Sequence, residues 1–259
     1  MDVKDKSIIV TGGAFGIGRA LCRRFAAEGA RAIIVADIDE VGAKAVAEEI
    51  KGKAVVCDVR REEDIKQLVA VAEKAFGSVD IFCSNAGILA IGGVEVDNDT
   101  WRRIWEINVM SHVYAARAVI PVMIKKGGGV FMITASAAGL LSQIGSAPYS
   151  VTKHAAVGLA ESISIAYHEQ GIQVFALCPQ AVETEMTKQG GGVAAVDGLM
   201  TSEELATAVI DGFQQESFLI LPHAEVKTYV QRKAADYDRW LNGMRRLQAR
   251  FMQGEPLKR

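Results

Sequence analysis

Three side chains in the middle of the chain have types and a spacing that suit proton transfer. Tyr149 and Lys153 are four residues apart in a stretch that predicts a helix, so they lie on one helix face. An ammonium beside a phenol favours the phenolate, and we therefore expect the Tyr149 pKa to lie below its usual value of about 10. Such a phenol can exchange a proton with a substrate oxygen near neutral pH. Ser136 can hydrogen-bond the same oxygen.

The surrounding sequence predicts the elements that carry these groups. An apolar run over 130–135 predicts a buried strand, and a loop of small residues follows it. Pro148 marks the start of the next helix, because the first turn tolerates a missing N–H. Ser136 would therefore follow a strand directly, while Tyr149 and Lys153 would lie in the first turns of a helix.

A glycine-rich turn near the start of the sequence has the pattern of a dinucleotide site. A short predicted strand over 7–11 runs into the sequence GGAFGIG, and a helical pattern begins directly after it. Glycines let the backbone approach a pyrophosphate, and the helix N-terminus offers free N–H groups and a positive dipole end. The residues of this turn that we assign to cofactor binding are Gly12, Phe15, Gly16, Ile17 and Gly18.

Asp37 ends the second predicted strand and suits the adenosine ribose. An acidic residue about 20 residues after the glycines can hydrogen-bond the ribose hydroxyls, and it would repel a 2′-phosphate. No Lys or Arg lies in 12–17 or directly after Asp37 to receive that phosphate, so we expect NAD rather than NADP. The alternative is that Asp37 merely ends a strand or caps the next helix, a cap that Asp39 can also supply.

These motifs resemble those of the short-chain dehydrogenase/reductase family, which has the same T-G-x3-G-x-G turn and the same S-x12-Y-x3-K spacing. The resemblance covers most of the chain. It implies that Tyr149 is the general acid and base, that Ser136 orients the substrate oxygen, and that Lys153 lowers the Tyr149 pKa and holds the nicotinamide ribose. The predicted order of strands and helices indicates one α/β domain over 1–259, a Rossmann-type doubly wound sheet of about seven parallel strands with helices on both faces.

The same resemblance gives roles to further positions. Asp58 and Val59 would lie against the adenine, unless Asp58 is a simple helix-entry residue. Ser84 stands where the family usually has Asn, and we expect this departure to affect stability more than chemistry. The residues that match the family beside the cofactor ribose are Asn85, Ala86 and Gly87, and those that match it around the nicotinamide are Pro179, Val182 and Thr184.

Asn108 falls inside a long helical pattern, where an Asn without a partner is unfavourable. In the family, the backbone carbonyl of such an Asn lies at a helix distortion and holds a water that bridges to the active-site lysine. The resemblance therefore implies a catalytic role for Asn108, with a solvent-facing side chain as the alternative.

The substrate is less clearly specified by the sequence. The loop 137–147 is mainly apolar, which suggests an apolar secondary alcohol or ketone with one polar feature. Gln143 and Gln180, the latter in place of a usual Gly, are candidates for binding that feature, although loop amides are more often solvated. We take 187–215 as a substrate lid, and 222–259 as a helical tail packed on the body or on a neighbouring subunit.

These features favour an NAD-dependent oxidoreductase that interconverts a secondary alcohol and a ketone. A catalytically silent dinucleotide sensor on the same fold would be expected to lack Tyr149 or Lys153, and both are present. Epimerases and dehydratases on this scaffold usually carry a larger C-terminal domain than the 75 residues after Thr184 allow. We expect no metal ion, because Tyr149, Ser136 and the cofactor supply what a zinc ion would.

The composition of the chain gives expectations about its binding partners and its cellular location. The net charge is −2 and no basic patch stands out, so we do not expect nucleic acid as a partner. The four cysteines lie in apolar segments, as reduced core residues of a cytoplasmic protein do. We see neither a signal-peptide pattern nor an apolar run of membrane-spanning length, and expect no membrane partner. The resemblance implies a homo-oligomer, a homotetramer or a dimer.

Overall fold

A parallel β-sheet forms the centre of the computed structural model, which describes residues 1–188 and 192–253. Its strands are Ser7–Thr11 (β1), Ala32–Asp37 (β2), Lys53–Val56 (β3), Ile81–Ser84 (β4), Gly129–Thr134 (β5), Ile172–Leu177 (β6) and Leu219–Ile220 (β7). They pair in parallel in the order β3-β2-β1-β4-β5-β6-β7. The order confirms the predicted doubly wound sheet, in which ligands bind beyond the carboxyl ends of the strands.

Helices connect the strands and cover both faces of the sheet. They are Gly16–Ala27 (α1), Glu40–Glu49 (α2), Glu62–Phe76 (α3), Asn98–Trp105 (α4), Ser111–Lys125 (α5), Ala147–Tyr167 (α6), Ser202–Gln215 (α7), Glu225–Ala235 (α8) and Tyr237–Met252 (α9). A π-helical segment, Glu106–Met110, joins α4 to α5. Helices α3, α5 and α6 pack on one face, and helices α1, α2 and α7 pack on the other.

Local signals in the sequence explain where several helices begin and end. Asp39 caps α2 by accepting a hydrogen bond from the Gly42 N–H at 2.7 Å. Thr201 and Glu204 form a capping box at the start of α7. Gly77 ends α3 in the left-handed conformation, with φ of +73°. The termini of these helices are therefore set by residues close to them in sequence.

The region 98–125 is the most apolar helical part of the chain. Among the described residues, one stretch, Asn98–Lys125, is long and apolar enough to cross a membrane, contrary to our expectation from the sequence. Half of its apolar window is buried inside the protein, where α5 packs against α3 and the sheet. Pro121 lies inside α5 without ending it. Packing in the core accounts for the apolar character of this stretch.

The predicted lid and tail differ in their structure. Residues 202–215 of the predicted lid form α7, which buries Leu205, Val209 and Phe213 in the core. The candidate cover is therefore limited to 187–200, of which 189–191 lie outside the described residues. The tail is helical up to 252 but is divided at Asp236, which caps α9, and 254–259 lie outside the described residues.

Phe213 provides a test of the core on the α7 face. Its buried ring lies 6.2 Å from the Phe25 ring and 4.8 Å from the Phe175 ring, measured between centroids. We expect Phe213→Ala to lower the free energy of unfolding by about 3–5 kcal/mol, because it removes a fully buried aromatic side chain. Phe15→Ala is the control: its ring is 52% exposed, and its loss should change stability by about 0.5 kcal/mol or less. Urea unfolding measures both variants, and equal losses would contradict this assignment of the core.

Candidate active site

The carboxyl ends of the central strands open onto one cleft of about 490 Å³. The structure brings every predicted cofactor and substrate residue into its lining. These residues are Gly12, Phe15, Gly16, Ile17, Gly18, Asp37, Asp58, Val59, Asn85, Ala86, Gly87, Ser136, Gln143, Tyr149, Lys153, Pro179, Gln180, Val182 and Thr184. Asn108 is the one predicted site residue that is absent from the lining, and it is fully buried behind it.

The glycine turn approaches its neighbours closely enough to exclude side chains. Gly12 has φ of +66°, and a Cβ built on it would lie 2.9 Å from the Ala86 Cα. Gly16 has φ of +49°, and a Cβ there would lie 2.9 Å from Thr184 Cγ2. Both positions therefore require glycine, for their conformation and for the close approach.

The start of α1 fits the pyrophosphate of a dinucleotide. Phe15 is the N-cap of this helix and supplies no side-chain cap, and the first turn contains no acidic residue. The first N–H groups of the helix thus remain available for an anion in the cleft, where the helix dipole is positive. This donor set, together with the glycine turn, is the observation that fits a nicotinamide dinucleotide.

Asp37 is fixed in the cleft by two backbone donors. The Ala14 N–H donates to Asp37 Oδ2 and the Asp39 N–H donates to Asp37 Oδ1, both at 3.0 Å. Because Asp39 caps α2, Asp37 does not serve as that cap. Its carboxylate lies beside the glycine turn and lines the cleft.

Asp58 is paired with an arginine that sequence reasoning did not identify. Arg60 donates through Nε and Nη2 to the Asp58 carboxylate, with distances of 2.9 and 2.6 Å to Oδ1 and Oδ2, and this pairing lowers the pKa of Asp58. Arg61, not Asp58, is the N-cap of α3. Since Arg60 also lines the cleft, the predicted adenine end contains a cation beside the carboxylate.

Asn85 joins the carboxyl ends of three strands. Its side-chain amide donates to the Thr11 carbonyl at 3.0 Å, and its side-chain oxygen accepts from Thr134 Oγ1 at 3.0 Å. The Asn85 backbone N–H donates to Thr11 Oγ1 at 2.9 Å. These bonds link β1, β4 and β5 where the cofactor site lies.

Ser84, which replaces the usual Asn, is bonded to a buried histidine. Ser84 Oγ and His112 Nδ1 are 2.6 Å apart, and both residues are buried. Burial lowers the pKa of His112 to about 3, so its imidazole is neutral. His112 Nε2 has no hydrogen-bond partner among the described residues. The departure from the family motif is therefore compensated by a residue of α5.

Lys153 is buried and its ammonium is directed to a backbone carbonyl. Nζ donates to the Thr134 carbonyl at 2.8 Å, and it lies 5.6 Å from the centroid of the Tyr149 ring. Burial lowers the pKa of Lys153 from 10.5 to about 8. The lysine thus carries only a partial charge in mildly alkaline solution.

The pKa of Tyr149 corrects our expectation from the sequence. It is raised, because burial penalises the phenolate more than a hydrogen bond from Ser136 stabilises it. Lys153 was predicted to lower this pKa, but its ammonium is bonded to the Thr134 carbonyl instead. The protein without ligand therefore holds Tyr149 as a neutral phenol.

Ser136 is held against the loop that follows β6. Its Oγ accepts a hydrogen bond from the Ala138 N–H at 3.1 Å, and it donates weakly to the Pro179 carbonyl at 3.4 Å. The Ala137 N–H donates to the same carbonyl at 2.8 Å. These contacts fix the hydroxyl at the carboxyl edge of the sheet.

Asn108 lies in the π-helical segment between α4 and α5, as the helix distortion implied by the resemblance requires. Its side chain is not solvent-facing. The Ile88 N–H donates to Asn108 Oδ1 at 2.8 Å, and Asn108 Nδ2 donates to the Ile88 carbonyl at 2.9 Å. Nδ2 also contacts Thr152 Oγ1 at 3.3 Å, next to Lys153. The side chain thus fixes the loop after Gly87 to α6.

The two predicted substrate amides have different surroundings. Gln180 Nε2 donates to Asp197 Oδ2 at 3.1 Å, while Gln180 Oε1 is buried without a partner among the described residues. Gln143 Nε2 donates weakly to the carbonyl of its neighbour Ile144, at 3.4 Å. Gln180 therefore forms part of a fixed wall, whereas Gln143 has a weakly held amide in the cleft.

Several cleft residues were not predicted from the sequence, among them Ile38, Arg60, Arg103, Ile107 and Met186, whereas Ala194 belongs to the predicted lid. Arg103 and Ile107 come from the region of α4, which carries no cofactor signal in its sequence. Ile38 follows Asp37 directly, and this adjacency is a signal that could have identified it. Among the described residues, no group of three or more His, Cys, Asp or Glu side chains could hold a metal ion, and the absence of a metal stays a prediction.

Comparison with known proteins identifies the family. The family model for short chain dehydrogenase matches residues 6–191. A 3beta-hydroxysteroid dehydrogenase 2 of Eggerthella lenta is 32% identical over 223 residues, which cover 78% of this chain and 85% of that protein. A 2,5-dichloro-2,5-cyclohexadiene-1,4-diol dehydrogenase of Sphingobium indicum is 40% identical over 193 residues, which cover 73% and 77% of the two chains.

A solved structure agrees with this result. The 3-ketoacyl-(acyl-carrier-protein) reductase of Brucella melitensis, complexed with NADH, matches with a TM-score of 0.79 and 28% identity, over 85% of this chain and 96% of that one. The chain belongs to the short-chain dehydrogenase/reductase family, a family of oxidoreductases that bind a nicotinamide dinucleotide and act on alcohols and ketones.

Proposed function

We propose that this protein is an NAD-dependent dehydrogenase that interconverts a secondary alcohol and a ketone, with Tyr149 as the proton carrier. One observation carries the proposal: Ser136, Tyr149 and Lys153 line the same cleft as the glycine turn and Asp37. Net formation of NADH from NAD in the presence of secondary alcohols tests it. A catalytically silent sensor would bind NAD without forming NADH.

The roles of the catalytic residues follow from their contacts. In alcohol oxidation, Tyr149 takes the proton from the substrate hydroxyl, and in reduction it returns that proton. Ser136 donates a hydrogen bond to the substrate oxygen and stabilises the charge that develops there. Lys153 lies one turn away on α6, where it would hold the nicotinamide ribose, while its ammonium is bonded to the Thr134 carbonyl. Asn108 positions the catalytic helix through its bonds near Thr152.

The cofactor would be held by residues that reach the cleft from several loops. The glycine turn and the start of α1 would bind the pyrophosphate, and Asp37 would bind the adenosine ribose. Val182 and Thr184 would hold the nicotinamide end. When bound, the nicotinamide supplies the hydride acceptor for alcohol oxidation, and its positive charge favours a nearby phenolate. Such a charge would offset the burial that raises the Tyr149 pKa.

The named relatives support a cyclic substrate. One is named for a 3beta-hydroxysteroid and another for a chlorinated cyclohexadiene diol, and both compounds carry hydroxyl groups on rings. The cleft here adds apolar side chains, Leu89 and Met186, to the catalytic groups. We therefore propose a mainly apolar secondary alcohol on a ring, with Gln143 available to a polar group. The homo-oligomer and the cytoplasmic location stay predictions.

Tyr149→Phe should lower kcat with an oxidisable secondary alcohol by about 100-fold or more, because general acid–base catalysis contributes on that scale. Binding of NAD, measured by calorimetry, should change little, since the ring is retained. Tyr167→Phe, at the other end of α6, is the matched control and should keep wild-type activity. A Tyr149→Phe variant with near-wild-type turnover would exclude the proposed role.

Asp37→Ala should change the cofactor preference, because it removes the acceptor for the ribose hydroxyls and the repulsion of a 2′-phosphate. We expect kcat/KM with NAD to fall by about 10-fold or more, because a hydrogen bond to a charged group is lost. The ratio of kcat/KM with NADP to kcat/KM with NAD should rise. Asp39→Ala removes only the α2 cap, so it should lower stability without changing the ratio. Equal ratios in both variants would contradict the assignment of NAD.

Lys153→Met tests the cost of the buried ammonium. The pKa of Lys153 is about 8 in the folded protein and 10.5 in the unfolded chain. Between these pH values the unfolded chain binds more protons than the folded protein does, so the free energy of unfolding of the wild type should rise with pH. At pH 7 the penalty is complete, and the variant should be more stable by about 2 kcal/mol, after subtraction of the lost bond to Thr134. Above pH 10.5 the lysine is neutral in both states, so only the lost bond to Thr134 remains, and the variant should be less stable than the wild type by about 1 kcal/mol.

Chemical unfolding at pH 7 and at pH 10.5 measures this difference in stability. Lys74→Met, at an exposed position of α3, is the control and should show no such pH-dependent gain. If Lys153→Met were less stable than the wild type at both pH values, Lys153 would be a stabilising residue and the burial argument would be wrong.

A further inference from the structure

Two side chains of α8 contact the two loops that border the cleft. Tyr229 and Lys233 are four residues apart, so they lie on one face of the helix. Tyr229 reaches Asp197 in the segment 192–200, and Lys233 reaches the loop 137–147. Each of these segments contributes a residue to the cleft lining. Helix α8 thus contacts both of these segments, which we call the two walls of the cleft.

The Tyr229 contact extends to the cleft wall through a carboxylate. The Tyr229 hydroxyl lies 3.0 Å from both oxygens of Asp197. Gln180 Nε2 donates to Asp197 Oδ2 at 3.1 Å, and Gln180 lines the cleft together with Ala194. Hydrogen bonds to an ionised carboxylate are stronger than neutral ones. Tyr229 therefore holds the segment 192–200 against the loop after β6.

The Lys233 contact holds the opposite wall. Its ammonium donates to the carbonyls of Leu140 and Leu141 at 2.8 and 3.1 Å. The same ammonium lies 4.8 Å from the centroid of the Trp240 ring, which fixes it from the side of α9. Gln143 follows these carbonyls and lines the cleft. Lys233 therefore fixes the loop that leads to Tyr149.

Helix α9 approaches both loops as well. A Cβ built on Gly145, in one loop, would lie 3.8 Å from the Phe251 ring, and a Cβ on Gly192, in the other, would lie 4.0 Å from it. The contacts of α8 and α9 thus agree in joining the same two segments.

We propose that Tyr229 and Lys233 determine substrate specificity as positioning residues, by fixing the separation of the two loops. Neither side chain touches the reacting atoms. A large, rigid alcohol must contact both walls, so its binding depends on that separation. A small alcohol contacts only Ser136 and Tyr149, and its turnover does not. This proposal rests on the dehydrogenase function proposed above. It attributes the preference of the enzyme for bulky alcohols to contacts made by the C-terminal tail.

Hydrogen exchange measured by mass spectrometry tests the contacts without turnover. Tyr229→Phe should raise the rate of amide hydrogen exchange in 192–200 by about threefold or more, because the hydroxyl that binds Asp197 is lost. Lys233→Met should raise it in 137–147 by at least as much, because the bonds to the Leu140 and Leu141 carbonyls are lost. Each variant should leave the other loop unchanged. Tyr237→Phe and Lys227→Met, at exposed positions of the tail, are the matched controls and should change neither loop.

Steady-state kinetics with NAD test the consequence for specificity. For a 3beta-hydroxysteroid, kcat/KM should fall by about fivefold or more in each variant, mainly through KM, whereas for 2-propanol it should fall by less than about twofold. A parallel fall for both alcohols, or exchange that matches the controls, would overturn the proposal. If the wild type oxidised neither alcohol, the proposed function would be wrong, and the exchange result would still decide whether the tail fixes the loops.

Discussion

The cleft of this protein contains a buried lysine ammonium, and the free-energy cost of burying it constrains the rest of the structure. Lys153 is 3% exposed, and its ammonium donates a hydrogen bond to the Thr134 carbonyl at 2.8 Å. Burial of a cation is unfavourable, which the lowered pKa of about 8 expresses. The rest of the protein must supply the free energy that keeps this group in place. The two packed layers of apolar side chains on either face of the sheet provide it.

The parallel topology explains why this ammonium meets the other functional groups. All strands present their carboxyl ends at the same edge, so the segments after β1, β4, β5 and β6 converge although they are distant in sequence. Asn85 then fixes three of these ends through its bonds to Thr11 and Thr134. The carbonyl that receives Lys153 belongs to the same Thr134. The proposed cofactor site and the proposed catalytic site therefore share one set of backbone positions.

Much of the fold and site could be predicted because the signals are local. The glycine turn depends on residues within seven positions, and its need for glycine was confirmed by the positive φ of Gly12 and Gly16. The direction of the Tyr149 pKa shift could not be predicted, because it depends on burial of the phenol by segments distant in sequence. The same is true of the place of Arg103 in the cleft and of the contact of Tyr229 with Asp197, because tertiary packing sets both. Sequence thus specifies chemistry and secondary structure better than it specifies electrostatics.

The pair of Ser84 and His112 shows how a departure from a family motif can be accommodated. A serine is shorter than the usual asparagine, and a buried hydroxyl without a partner would cost about 1–3 kcal/mol. His112 reaches that hydroxyl from α5 and satisfies it. The imidazole is neutral because its pKa is lowered to about 3, by burial and by the charge of Lys153. A protonated imidazole there would in turn lower the pKa of Lys153 further, since two cations in one buried region repel each other. The substitution is therefore compatible with the catalytic lysine only because the histidine stays uncharged.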